Sequence, residues 1–405
     1  MYINRKVEKT LIKLSKMFKV LLVTGPRQVG KSTTLKHLFG DSYHYVTLDD
    51  VLELELAKND PKLFFRSNPL PLIIDEVQLA PGLFREVKRI VDESDEKGQI
   101  ILTGSQTFHL MDGVSESLAG RVGIVDFLGL SYREVTELEI DMPFYPDDDY
   151  LNQEKSNDID IDLYEFIHRG SKPELNKDKD LDWKLYYASY IRTYLERDVR
   201  SILNVKNLDA FSNFMVVLAS RTGQILNYSS VANEVGVDLE TIKSWVRVLE
   251  TSGIIFLLKP FSNNAIKRTI KSPMVYFLDT GLVSYLLNWL TKDTLEKGAL
   301  SGAILETHVV SEIVKSFKQN GVLDLPLYFY RDKDKKEIDL IIKENGKLYP
   351  VEIKKTMNPN PKMAKSFSVL EKALGYEVGN QLILCMIDKI YYLSDELLAY
   401  PINKI

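Results

Sequence analysis

Residues Gly25-Pro-Arg-Gln-Val-Gly-Lys-Ser-Thr33 follow the apolar run Val20-Leu-Leu-Val-Thr24 and precede Thr34-Leu-Lys-His-Leu38. The first flank reads as a buried strand and the second as a helix, the setting that a G-x-x-x-x-G-K-[ST] loop requires. Gly25 and Gly30 let the backbone wind so that its N–H groups turn inward toward phosphate oxygens. The helix starting near Lys31 presents its positive end to the same anion. Lys31 is placed to reach the β- and γ-phosphates of ATP, and Ser32 to ligate Mg²⁺. The candidate nucleotide-binding set is therefore Gly25, Pro26, Arg27, Gln28, Val29, Gly30, Lys31, Ser32 and Thr33.

A second motif supports the first. Leu72-Ile-Ile-Asp75-Glu76 is a strand signal ending in two carboxylates. In a parallel sheet both strand ends lie on the ligand-binding edge. Asp75 can then hold Mg²⁺ opposite Ser32, and Glu76 can orient or deprotonate the attacking water. A third run, Ile100-Ile-Leu-Thr-Gly-Ser105, ends in a hydroxyl where a γ-phosphate sensor would lie.

These runs sit in an α/β stretch that extends to about residue 135. Its strand candidates are Val20–Thr24, Tyr43–Leu48, Leu72–Asp75, Ile100–Gly104 and Val122–Leu128. Their alternation with helices implies a parallel sheet covered on both faces. The chain of 405 residues has room for two or three domains, with 45% hydrophobic and 27% charged residues as in an ordinary globular protein. A net charge of −5 excludes whole-molecule attraction to nucleic acid, so any such contact needs a local basic patch. The single cysteine, Cys385, excludes an intramolecular disulfide and a cysteine zinc site, and its apolar neighbours Gln381–Ile387 read as a core strand. The first residues lack a signal-like apolar stretch and no run of 18 apolar residues occurs, so no membrane partner and a cytoplasmic location are expected.

Residues 136–205 read as an acidic insert followed by a helical, lid-like segment. Asp147-Asp-Asp149 and Asn157-Asp-Ile-Asp-Ile-Asp162 suggest a solvated surface loop, and helical periodicity runs from Trp183 to Val205. Residues 206–290 carry a helix-turn-helix pattern. Ser229 or Ser230 caps the first helix, Gly236 turns the chain, and Asp238 caps a second helix whose Ile242, Trp245 and Leu249 face inward. Ile254–Leu258 and Met274–Leu278 bracket a polar stretch as a wing would. Lys243, Arg247, Lys259, Lys267, Arg268 and Lys271 face one acid, Glu250, over the same span. That basic island suits DNA phosphates, while winged helices also serve as protein-binding modules.

Residues 291–405 hold a separate constellation. Glu306 lies on a helical stretch, Asp339 on the strand Lys336–Ile342, and Glu352 and Lys354 on the strand Leu348–Lys354. Asn345-Gly346 joins the two strands as a hairpin, and a spacing of two puts Glu352 and Lys354 on one face. Asp339 and Glu352 can bind Mg²⁺, Glu306 can complete the site, and Lys354 can activate a water for phosphodiester attack.

These motifs together resemble the bacterial and archaeal AAA+ ATPases that join an ATPase domain to a C-terminal domain of unknown function, the AAA_14/DUF4143 arrangement. The resemblance covers nearly the whole chain. Besides the loop at 25–33, it rests on Ile74-Asp-Glu-Val-Gln78, Leu102-Thr-Gly-Ser-Gln106, Leu118-Ala-Gly-Arg-Val122, Tyr194-Leu-Glu-Arg-Asp-Val199, Tyr276-Phe-Leu-Asp-Thr-Gly-Leu282 and Glu337-Ile-Asp-Leu340. It implies that Ser105 is a sensor of the γ-phosphate. It implies that Arg121 is an arginine finger or sensor, and with it a homo-oligomer. The C-terminal constellation is similar to the PD-(D/E)XK nuclease fold. Where the family often has Gly-Gly-Phe-Pro-Glu, this chain has Gly170-Ser-Lys-Pro-Glu174. Three functional readings follow: an ATPase that hydrolyses ATP with Mg²⁺ and is coupled to a DNA-binding winged helix and a nuclease-like C-terminal domain, an ATP-gated nuclease in genome maintenance or defence, or a nucleotide-dependent signalling switch that binds protein partners.

Overall fold

The structure is a computed structural model that describes residues 2–105, 118–153, 159–194, 208–261, 271–334, 336–372 and 375–405. Several sequence readings fall outside those residues: Gln106, Asn157 and Asp158, the stretch 195–207 with most of Tyr194–Val199, and the polar stretch 262–270 with Lys267 and Arg268. The chain divides into two compact units.

The first unit contains residues 1–130 together with 251–253 and 318–323. It begins with α1 (Glu8–Met17), β1 (Val20–Thr24), α2 (Lys31–Phe39), β2 (His44–Thr47), α3 (Val51–Asn59) and α4 (Pro61–Ser67). Then come β3 (Leu72–Asp75), α5 (Leu83–Asp92), β4 (Ile100–Gly104) and β5 (Val122–Asp126). The five strands form one parallel sheet in the order β2-β3-β4-β1-β5. All five expected strands are present; the central β1, β3 and β4 are buried throughout, as parallel strands covered by helices must be, while the edge strands β2 and β5 are only partly buried. Alternate residues divide between two cores. Val20, Leu22, Leu72, Ile74, Ile100 and Leu102 pack with Phe64, Leu83 and Val87. Leu21, Val23, Ile73, Ile101 and Val125 pack with Leu11 and Leu35. The carboxyl ends of β1, β3 and β4 therefore share one edge, with β4 between the other two.

The second unit contains residues 131–250, 254–317 and 324–405. Its principal helices are α6 (Leu163–Arg169), α7 (Pro173–Lys177), α8 (Trp183–Tyr194), α9 (Leu208–Ala219), α10 (Tyr228–Val235), α11 (Leu239–Thr251), α12 (Thr280–Leu286) and α13 (Ser301–Gln319). Its strands are β6 (Gln224–Ile225), β7 (Ile255–Pro260), β8 (Met274–Phe277), β9 (Leu327–Arg331), β10 (Glu337–Glu344), β11 (Lys347–Lys354), β12 (Gln381–Cys385), β13 (Tyr391–Tyr392) and β14 (Leu397–Pro401). They make a single nine-stranded sheet, β13-β14-β12-β11-β10-β9-β7-β8-β6. The strands read as a wing and those of the C-terminal constellation are joined where Lys259 and Pro260 pair with Tyr328 and Phe329 in parallel. The sheet is thus continuous across residue 290.

Three local expectations are corrected or sharpened. The cap of α10 is Asn227, whose side chain accepts from Ser230 N at 3.0 Å, rather than Ser229 or Ser230. Gly236 ends α10 at φ +78°, and Asp238 accepts from Thr241 N at 2.8 Å to start α11. Ile242, Trp245 and Leu249 are buried as expected. The acidic stretch is not simply loop. Asp147 caps a short helix, Asp148–Leu151, whose Tyr150 is fully buried, and Asp162 caps α6. Short carboxylates are favoured helix starts, so acid density there marks caps as well as solvated surface.

Candidate functional site

The loop after β1 is shaped by its glycines and by what lies against them. Gly25 has φ +146°, and a Cβ there would meet the Phe127 carbonyl oxygen at 1.9 Å. Gln28 (φ 56°) and Gly30 (φ 92°) also take the left-handed region, on either side of Val29. Val29 buries its side chain in the core with Leu35 and Val125. Pro26 is buried, Arg27 is half-buried and Thr33 is exposed. Gly30 is the residue before α2, and no side chain caps that helix. An uncapped helix start at the end of a wound loop is an anion site in physical terms.

Lys31 folds back over the loop, its Nζ donating to the carbonyls of Gly25 at 2.9 Å and Pro26 at 2.8 Å. Ser32 Oγ donates to Asp75 Oδ2 at 2.6 Å. The same oxygen accepts from Tyr45 OH at 2.5 Å, and Asp75 Oδ1 accepts from Glu76 N at 3.1 Å. Burial and the Asp75 carboxylate push the Tyr45 phenol well above its ordinary range. Glu76 has φ 57°, and its carboxylate accepts from the Gln78 amide. Ser105 is buried on the same sheet edge, and its Oγ has no hydrogen-bond partner among the described residues. Lys31, Ser32, Asp75, Glu76 and Ser105 are thus gathered along one edge. A hydroxyl hydrogen-bonded to a carboxylate is a hard-oxygen pair that fits Mg²⁺.

Arg121 is not among them. It directly precedes β5, so it lies at the amino ends of the strands, one strand length or roughly 16 Å from the loop edge at about 3.3 Å per residue. There it pairs with Asp92, Nε to Oδ1 at 2.5 Å, and remains partly exposed.

In the second unit, Asn345 (φ 49°) and Gly346 (φ 82°) form the two-residue hairpin turn between β10 and β11. The β9–β10 pairing shifts register between Ile338 and Ile341, which puts Asp339 at a bulge. Bulges re-aim side chains, and Asp339 Oδ2 accepts from Ile353 N at 2.8 Å and from Lys354 Nζ at 3.3 Å. Lys354 Nζ also pairs with Glu352 Oε1 at 2.6 Å, while Glu352 Oε2 is buried with no partner among the described residues. Glu306 on α13 accepts from Tyr276 OH at 2.6 Å. Burial, and then the charge of Asp339, push Glu306 up to about 8 and Glu352 up to about 7. The four expected residues therefore form one electrostatic cluster, with the Lys354 ammonium between Asp339 and Glu352. Among the described residues no group of three or more Asp, Glu, His or Cys side chains is arranged to hold a metal ion.

Sequence reasoning missed Tyr276, Tyr45 and Gln78. Tyr276 reaches Glu306 across 30 residues and Tyr45 reaches Asp75 across 30, separations that carry no local periodicity. Gln78 stood in the quoted motif, two residues beyond Glu76, and that closeness was the available signal.

Residues 17–136 match the family described as an AAA domain, AAA_14, and residues 301–405 match a domain of unknown function, DUF4143. The chain thus carries an AAA_14 match and a DUF4143 match in one sequence. Residues 160–293 between these regions match a further domain of unknown function, DUF8612. An uncharacterized protein of Mycobacterium tuberculosis is 28% identical over 387 residues, spanning 95% of this chain and 80% of its own length. An uncharacterized protein of Methanocaldococcus jannaschii is 24% identical over 337 residues, spanning 75% of this chain and 69% of its own. Among solved structures, a Walker-type ATPase of Pyrococcus abyssi aligns with a TM-score of 0.42 and 14% identity over 70% of this chain and 96% of that one. The AAA_14 match and the parallel sheet with its loop after β1 give the first unit an AAA-type P-loop fold, a family that implies nucleotide binding. Among the described residues no helix is long and apolar enough to cross a membrane.

Proposed function

We propose that this protein binds ATP with Mg²⁺ at the loop Gly25–Thr33 and hydrolyses it. One observation carries the reading: Ser32 and Asp75, 43 residues apart, meet at 2.6 Å beside an uncapped helix start. Lys31 leaves the Gly25 and Pro26 carbonyls to neutralise phosphate charge, Ser32 and Asp75 supply oxygens for Mg²⁺, and Glu76 orients the attacking water. The buried, unpartnered Ser105 hydroxyl supports a role in sensing the terminal phosphate. Arg121, remote from its own loop and partly exposed, supports service to a neighbouring copy in a homo-oligomer. The reading is tested by titrating a fluorescent ATP analogue into wild type and Lys31→Ala. Binding lost in the variant is expected, and unchanged binding overturns the loop assignment.

A second reading rests on the carboxylate cluster. The partnerless oxygen of Glu352 beside the Lys354 ammonium supports Mg²⁺-assisted attack on a phosphodiester, with Asp339 and Glu352 as metal ligands and Glu306 behind them. The donors are hard oxygens that suit Mg²⁺, and Lys354 has to swing away from Asp339 to admit one. DNA is the proposed partner. Lys243, Arg247, Lys259 and Lys271 are all exposed, which supports phosphate contacts by the helix-turn-helix region. We place the protein in the cytoplasm.

A further inference from the structure

The nucleotide loop is braced by a residue that precedes the stretch matching the AAA_14 family. The AAA_14 match begins at residue 17, yet the side chain that holds the loop is Arg5. Its guanidinium is buried, 6% exposed for the residue. Nη1 donates to the Val29 carbonyl at 2.8 Å, and Nη2 donates to the carbonyls of Leu128 at 2.8 Å and Gly129 at 3.3 Å. The same group stacks on the Phe127 ring, 4.4 Å from its centroid. Phe127 is also the residue whose carbonyl fills the space beside Gly25. Arg5 thereby ties the middle of the loop to the segment after β5 against which the start of the loop is packed.

The position of that bond matters. Val29 lies between two residues with positive φ, Gln28 and Gly30, and such a conformation at a non-glycine residue persists only where surrounding contacts hold it. A charge-assisted donor on the Val29 oxygen holds that carbonyl toward Arg5 and with it the peptide plane. The segment around Arg5 is held in its turn. Glu8 accepts from Arg5 N at 2.7 Å and from Tyr2 OH at 2.6 Å. With the phenol proton given to Glu8, Tyr2 OH accepts from Thr34 Oγ1 at 3.1 Å, and the Tyr2 ring stacks on His37, so the Tyr2 end of this segment rests on α2.

We propose that Arg5 is a positioning residue for nucleotide binding: it pre-organises the phosphate-binding backbone at Val29 without touching the nucleotide. This rests on the reading of the loop as an ATP site. The experiment titrates a fluorescent ATP analogue with Mg²⁺ into wild type, Arg5→Ala, Arg5→Lys, Lys31→Ala and Val91→Ala, with far-UV circular dichroism and urea unfolding on each. Val91 is buried in the core on the opposite face of the sheet and serves as a destabilised control. Arg5→Ala is expected to weaken binding at least about tenfold, the scale of a lost hydrogen bond to a charged group. Arg5→Lys, which keeps the charge but replaces the planar fork of two nitrogens by a single one, falls between the two. Val91→Ala binds as wild type does. Turnover by Arg5→Ala shows a raised KM with kcat maintained, because Lys31, Asp75 and Glu76 are intact. Wild-type affinity in a folded Arg5→Ala overturns the proposal, as does equal weakening in Val91→Ala. If Arg5→Ala does not fold, Arg5→Lys decides: intermediate affinity supports the brace and wild-type affinity overturns it. Absence of binding by wild type defeats the ATP reading instead, a result distinct from failure of the brace.

Discussion

Replacing Gly25 by alanine tests the loop geometry with the fewest assumptions. The new Cβ would lie 1.9 Å from the Phe127 carbonyl oxygen and 2.9 Å from its carbon, both backbone atoms with no rotamer to change. Either the loop or the β5 end has to move by more than an ångström to reach ordinary contact. That movement pulls on the hydrogen bond from Phe127 N to Thr24 O, now 2.7 Å. A φ of +146° is also backbone that only glycine adopts at low cost, and an L-residue there is strained by about 1–3 kcal/mol. Adding about 1 kcal/mol for the weakened bond gives a loss of roughly 2–4 kcal/mol. Against a typical total of about 5–15 kcal/mol this is a large fraction. Urea unfolding, followed by circular dichroism, reads the stability, and titration with an ATP analogue reads the site. Gly25→Ala is expected to unfold at clearly lower urea and to bind nucleotide poorly. An unchanged midpoint with unchanged affinity would refute the account of how the loop is built.

Two further outcomes follow from the second unit. Asp339→Ala removes the acceptor shared by Ile353 N and Lys354 Nζ, so any Mg²⁺-dependent cleavage of linear, circular or single-stranded nucleic acid is expected to vanish in that variant. Cleavage that persists would exclude the cluster as its source. Cys385 is buried in β12, and burial pushes its thiol up to about 11. Since the thiolate is the reactive form, the native protein at pH 8 is expected to be silent to Ellman's reagent and to release one equivalent in urea. Rapid native labelling would contradict the burial of that strand.

The features legible in the sequence were those encoded locally. The five strands of the first sheet announce themselves as apolar runs, and the loop as glycines at fixed offsets before Lys31. Gly236 and Asp238 were legible because a left-handed cap and a carboxylate N-cap leave their mark within a few residues. The Asn345-Gly346 hairpin was legible for the same reason, and it brings Asp339 and Glu352 together. What stayed hidden depends on distance along the chain. The pairing of β7 with β9 joins Lys259 to Tyr328, and nothing in either segment names its partner. Arg5 reads as an ordinary basic residue until Val29 and Leu128 are folded beside it. The position of Arg121 follows from the sheet, which puts the residue before β5 on the edge away from the loop. Tyr276 looked like part of a wing because its helical partner, Glu306, lies in the next segment of the chain.

The most direct test of the central claim is Mg²⁺-dependent phosphate release from ATP by wild type and Glu76→Gln, with nucleotide binding measured on the same samples. The wild-type protein is expected to turn over, and the variant to bind equally well while hydrolysing at least about a hundredfold more slowly, the scale of a lost general base. A wild-type protein that binds no nucleotide, or a Glu76→Gln variant with undiminished turnover, would contradict the account.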